Sequence, residues 1–81
     1  MKTFRLTIAR VGEHVFDGPV VSASFPGVEG TFEVLAEHEA FVSLLRDGRV
    51  RVTTEEGEVH HFVVAEGGVA EVSHNQATIL L

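Results

Sequence analysis

Cysteine is absent from the 81 residues, so no disulfide staples the fold and no thiolate serves as nucleophile or metal ligand. Long apolar runs are absent too. Nothing approaches the roughly 18 residues that a membrane-spanning helix needs, and Met1-Lys2-Thr3-Phe4 opens directly into alternating sequence. The mature chain is therefore expected to begin near Met1. Basic residues are scarce, 6 against 12 acidic ones, for a net charge of −6. That balance disfavours binding to a phosphate backbone and argues against nucleic acid as a partner. Missing as well are a Gly-x-x-x-x-Gly-Lys phosphate loop, a Gly-x-Ser-x-Gly elbow and any Cys/His cluster with zinc spacing. No internal repeat or low-complexity stretch is visible.

What is present reads as one packed module. Hydrophobic residues make up 44% and charged residues 22% of the chain, near globular averages. A chain this short buries only a little over about 60% of its unfolded surface, leaving no core to divide. A single domain over residues 1–81 is expected.

The apolar period is two. Phe4, Leu6 and Ile8 alternate with Thr3, Arg5 and Thr7; Val50 and Val52 alternate with Arg49, Arg51 and Thr53; Thr78 and Leu80 alternate less one-sidedly with Ala77, Ile79 and Leu81. Turn signals recur at Val11-Gly12-Glu13, Asp17-Gly18-Pro19, Pro26-Gly27, Asp47-Gly48, Glu55-Glu56-Gly57, Gly67-Gly68 and His74-Asn75. Such spacing, about ten residues, suits an all-β sandwich or barrel of short strands. Only residues 36–45 break the pattern. Ala40, Phe41, Leu44 and Leu45 would line one face of a helical turn, yet Phe41-Val42-Ser43-Leu44-Leu45 also reads as a strand running into an Asp47-Gly48 hairpin. The cluster of β-branched and aromatic residues favours the strand.

Candidate chemistry is thin. His60 and His61 beside a glutamate-rich turn suggest a metal site inside a small barrel. Neighbouring strand side chains point to opposite faces, however, so both cannot reach one ion. Glu55, Glu56 and Glu58 read as a solvated hairpin tip before they read as an acid/base pair or cation site. His38, between Glu37 and Glu39, has no nucleophile or oxyanion donor identifiable around it. His14 and His74 sit beside turns, where solvated imidazole is expected.

Several motifs in fixed order carry a resemblance that covers nearly the whole chain. They are Met1-Lys2-Thr3-Phe4-Arg5-Leu6-Thr7-Ile8; Phe16-Asp17-Gly18 with Val20-Val21-Ser22-Ala23; Phe25-Pro26-Gly27-Val28-Glu29-Gly30; Val34-Leu35-Ala36-Glu37-His38-Glu39-Ala40-Phe41; Asp47-Gly48-Arg49-Val50-Arg51-Val52; and Glu66-Gly67-Gly68-Val69-Ala70-Glu71-Val72. Together they resemble the epsilon subunit of F-type ATP synthases, called delta in mitochondria. The family usually reads Leu-Pro-Gly-His-Ala-Pro-Leu where this chain has Ala36, Glu37 and Glu39 around His38. Losing both prolines loosens the backbone there and adds two negative charges.

The resemblance implies a fold of two antiparallel sheets packed face to face, with about ten short strands. The family's two-helix C-terminal hairpin has no counterpart here, so neither ATP binding nor hairpin-type inhibition is expected. The implied role is a non-catalytic rotor subunit of the central stalk, without cofactor or metal. It would couple gamma to the membrane c-ring during proton-driven ATP synthesis, at the cytoplasmic face of the bacterial inner membrane. By resemblance, Glu29, Gly30, Thr31 and His38 would face the c-ring, where Glu29 would meet the arginine common in the ring loop. Arg10 and Ser43 would face gamma. The competing expectation is a free-standing cupin-like β-barrel that binds metal through His38, His60 and His61.

Overall fold

The alternation seen in the sequence becomes nine strands in the computed structural model, which describes residues 2–37 and 40–81. They are β1 (Phe4–Arg10), β2 (Glu13–Val20), β3 (Ser22–Gly27), β4 (Gly30–Leu35), β5 (Phe41–Leu44), β6 (Gly48–Thr53), β7 (Val59–Val64), β8 (Val69–Ser73) and β9 (Gln76–Leu80). They form a five-stranded sheet, in the order β2-β1-β9-β8-β5, and a four-stranded sheet, β4-β3-β6-β7. The two pack face to face as a sandwich, and residues 41–44 are strand, as the β-branched and aromatic cluster indicated.

Period two decides which side chains meet. On β1, Phe4, Leu6 and Ile8 are buried; on β6, Val50 and Val52 are buried while Arg49 and Arg51 are exposed. β9 is resolved the same way, with Ala77 and Ile79 inward. The five-stranded sheet adds Ala70 and Val72, and the four-stranded sheet answers with Ala23, Phe25, Val34 and Val64. Each such valine, leucine, isoleucine or phenylalanine contributes about 1.5–3 kcal/mol through the surface it removes from water. Thr54, the one buried polar residue among those described, is satisfied: its Oγ1 accepts a bond from the Glu58 amide at 3.1 Å.

One ladder departs from the expected antiparallel arrangement. β9 lies parallel to β1, with Leu6 opposite Ala77 and Ile8 opposite Ile79. The short β8–β9 hairpin at His74-Asn75 delivers β9 into the slot between β8 and β1, and its direction there is fixed by its antiparallel pairing with β8.

Three turn signals also resolve differently. Asp17-Gly18-Pro19 lies inside β2, opposite Thr7, Leu6 and Arg5. β2 is an edge strand, where a proline without an amide hydrogen costs no ladder bond. Pro26-Gly27 is the end of β3, and the hairpin tip is Val28-Glu29. Asp47-Gly48 is no hairpin, because β5 and β6 belong to different sheets. The chain crosses there, held by a hydrogen bond that the Arg46 amide donates to the Pro26 carbonyl at 2.9 Å and by an isolated bridge between Gly27 and Leu45.

Asp17 pairs with the chain across the β1–β2 ladder. The Arg5 guanidinium donates to its Oδ2 at 2.7 Å, and the Thr7 hydroxyl to its Oδ1 at 3.2 Å. The Arg5 bond, seconded by Thr7, holds the carboxyl below its ordinary value. A carboxyl depressed in the fold contributes stability above its unfolded pKa and loses that contribution as pH falls through the folded value. In a carboxyl-detected NMR titration, Arg5→Ala should move the Asp17 midpoint up toward the ordinary carboxylate range while leaving Glu37 unmoved; an unchanged Asp17 midpoint contradicts the assignment.

Candidate functional site

The β3–β4 hairpin and the β5 edge build a surface cleft that gathers several of the residues singled out in the sequence. β4 is the edge of one sheet and β5 the edge of the other, so the sandwich has an open seam between them. Phe32 on β4 closes it from within. Its ring lies 5.2 Å from Phe25 and 5.1 Å from Phe41, edge-on to the latter at 78°, the offset geometry aromatic pairs favour. Backbone bonds fasten the same seam: the Val28 amide donates to the Leu44 carbonyl at 3.0 Å.

Above the rings the seam opens as a cleft of about 440 Å³, lined by Glu29, Gly30, Thr31, Phe32, Phe41, Val42 and Ser43. Its lining is mixed, with the exposed carboxylate of Glu29, Thr31 and Ser43 beside Phe32, Phe41 and Val42. Such a mixed lining, without a nucleophile and base in hydrogen-bond reach among the described residues, suits contact with a partner's side chain more than bond-making chemistry. Gly27 at the base is sterically required. A Cβ there would stand 2.8 Å from the Gly30 carbonyl oxygen and 3.0 Å from the Phe32 ring.

Of the residues singled out in the sequence, Glu29, Gly30, Thr31 and Ser43 are brought together in this cleft. Arg10 is not. It ends β1, three strands from β5, or about 14 Å at ordinary strand spacing, and its guanidinium lies 3.5 Å from Glu13. His38 lies outside the described residues. Phe32, Phe41 and Val42 were missed as site residues because their meeting depends on two sheets that share no ladder at that point; the crowding of three phenylalanines into residues 25–41 was the available signal.

The histidine pair separates as strand geometry requires. His60 points along the inner side of β7, 6.3 Å from the Phe16 ring and 6.5 Å from Phe62, while His61 is exposed on the opposite face. Among the described residues no three His, Asp or Glu side chains converge as metal ligands.

The loop after β4 keeps an unusual backbone. Glu37 has φ of 66°, the left-handed conformation that glycine adopts without penalty. Resemblance had placed a family glycine at this position. Here Glu37 is tied down in that conformation: Lys2 Nζ donates to its Oε1 at 2.9 Å and Oε2 at 3.0 Å, and the Glu37 amide donates to Asn75 Oδ1 at 3.1 Å. The Lys2 bond lowers the Glu37 pKa from its ordinary value.

Comparison with known proteins places this architecture. A family model described as the ATP synthase delta/epsilon chain β-sandwich domain matches residues 3–81. The ATP synthase epsilon chain of a Nitratiruptor species is 40% identical over all 81 residues, which span 62% of that relative. That of a Bradyrhizobium species (strain ORS 278) is 40% identical over 99% of the chain and 58% of its own length. The chain thus spans a little over half the length of these curated relatives. Among solved structures, a chain of the Euglena gracilis mitochondrial ATP synthase, in an OSCP/F1/c-ring assembly, superposes with a TM-score of 0.90 at 31% identity, over 96% of this chain and 49% of that one. A chain of the Tetrahymena thermophila mitochondrial enzyme shares the fold at a TM-score of 0.76 and 17% identity, over 98% of this chain and 63% of that one.

Two substitutions test the geometry. Gly27→Ala should lower unfolding stability by about 1–3 kcal/mol in urea denaturation, the usual cost of overpacking, and a neutral result refutes the close approach. At position 37 glycine should outperform alanine. Both substitutions delete the Lys2 pair, but only alanine keeps the left-handed strain, so Glu37→Gly should be more stable than Glu37→Ala by about 1 kcal/mol; equal stabilities would mean that the loop does not hold this backbone.

Proposed function

The chain belongs to the ATP synthase delta/epsilon family, whose β-sandwich domain it carries, and we propose that it is the epsilon subunit of a proton-translocating F-type ATP synthase. The observation that carries this reading is the match along its whole length to relatives named ATP synthase epsilon chain, at 40% identity. In that role it is a non-catalytic rotor subunit of the central stalk. It is peripheral to the cytoplasmic face of the bacterial inner membrane and held there through the complex.

The hairpin tip with Glu29, Gly30 and Thr31, together with His38, faces the polar loops of the c-ring. Gamma is met by Ser43 on β5 and by Arg10. That Ser43 shares its cleft with Glu29, Gly30 and Thr31 supports a reading in which the two partners meet at this seam, with Arg10 a separate gamma contact. A sandwich suits such a joint. Cross-strand bonds resist shear, and an interface of about 1,200 Å² or more is enough to hold a small domain on its partner. Glu29 is exposed, so an ion pair there contributes about 0–1 kcal/mol and acts chiefly on orientation and encounter. No observation favours the metal-binding barrel.

Reconstitution tests the reading. In an ATP synthase complex rebuilt with the chain present, it should co-assemble with gamma and the c-ring and the complex should support proton-driven ATP synthesis; in a complex rebuilt without it, coupling should fall. Synthesis unchanged by its removal overturns the role. Glu29→Lys should weaken assembly by up to about fivefold, with the difference shrinking as salt is raised.

A further inference from the structure

The fold divides the basic residues of this acidic chain into two groups. Lys2, Arg5 and Arg10 stand against Glu37, Asp17 and Glu13. Arg46, Arg49 and Arg51 have no carboxylate partner among the described residues, although the chain carries 12 acids. Arg49 and Arg51 are two positions apart on β6 and both exposed, while Val50 and Val52 on the other side are fully buried. They therefore project from the outer face of the four-stranded sheet, their Cα atoms about 7 Å apart.

The surroundings leave this pair open. Opposite Arg51 stand Ser24 on β3 and His61 on β7; opposite Arg49 stands Val63, which is 72% exposed. The acid in the same cross-strand row, Glu33, is on β4, two strands from Arg51 or about 10 Å. Two like charges at this spacing repel, and no side chain of the described residues neutralises them. Arginine beside exposed apolar surface is also the combination enriched at the energetic centres of protein interfaces.

We infer that the outer face of the four-stranded sheet, at Arg49, Arg51 and Val63, docks an acidic segment of a protein partner within the assembly proposed above. That segment presents two carboxylates about 7 Å apart and an apolar side chain that covers Val63; carboxylates one helical turn apart, or at alternate positions of an extended strand, meet this spacing. A bilayer or nucleic acid fits less well. The net charge of −6 opposes a polyanionic surface, and two arginines do not reverse it. The inference rests on the stalk reading, yet this face is separate from the Glu29 cleft.

The test uses the intact chain and an ATP synthase preparation of the same organism from which this subunit has been stripped. The Arg49→Glu/Arg51→Glu double variant should rebind about tenfold or more weakly than the wild type at low salt. Arg49→Lys/Arg51→Lys should retain most of the affinity, and a photo-crosslinker placed at Val63 should attach to an acidic peptide of one subunit. Wild-type affinity in the charge-reversed variant, with its fold intact by circular dichroism, overturns the inference and leaves the stalk reading standing. Failure of the wild-type chain to rebind overturns both. Arginine-dependent binding to phosphatidylglycerol vesicles, with no crosslink to protein, also overturns it, since the face would then be a lipid contact.

Discussion

A sandwich of two open sheets has to be closed along both of its seams, and in this chain aromatic rings do the closing. At one seam Phe32 on β4 spans from Phe25 to Phe41 on β5. At the other, Phe16 on β2 meets Phe62 on β7 at 5.6 Å, with His60 beside both. Five of the six phenylalanines serve these contacts; the sixth, Phe4, is in the core between the sheets. The assignment follows from size. Valine, alanine and isoleucine fill the thin middle of a small sandwich, but only a ring reaches across the edge, where no ladder joins the sheets.

The same division of labour separates stability from recognition. Inner faces are almost wholly apolar, so hydrophobic burial supports the fold without help from charge. Ion pairs are left to the surface, where Lys2–Glu37 and Arg5–Asp17 tie loops and strands locally and contribute little to global stability. The remaining charges are then available for partners. Glu29 at the hairpin tip and the arginines of β6 carry opposite signs at different places on the surface, and on the proposed reading this would let one small domain discriminate between neighbours of unlike charge.

How much of this was legible in the sequence depended on whether the signal was local. β1 and β6 could be read directly, because alternation at Phe4-Leu6-Ile8 and Val50-Val52 is a property of consecutive residues. Asp17-Gly18-Pro19 could not, because whether a proline breaks a strand depends on the strand lying at a sheet edge, which is set by pairings elsewhere. Asp47-Gly48 misled for the same reason: the chain does bend at Asp47, but it leads from one sheet to the other, and sheet membership is non-local. The cleft was half legible. Glu29, Gly30 and Thr31 stood out through their motif, whereas their meeting with Val42 and Ser43 arises only when two edges from different sheets are juxtaposed.

Position 37 shows how motif and backbone can part company. The motif that the chain resembles has glycine there, the chain has glutamate, and φ is left-handed at 66°. A non-glycine residue pays about 1–2 kcal/mol for that region, so the surroundings have to hold the conformation against its own preference. They do so from three directions: the Lys2 ammonium on the carboxylate, the Asn75 side chain on the amide, and β4 ending just before it. Asn75 is itself left-handed, at φ of 57°, and its carbonyl accepts the amide of Arg5. The loop after β4, the β8–β9 turn and the start of β1 thereby form one connected corner. Its shape is therefore set by long-range contacts more than by the intrinsic preference of the residue at its apex.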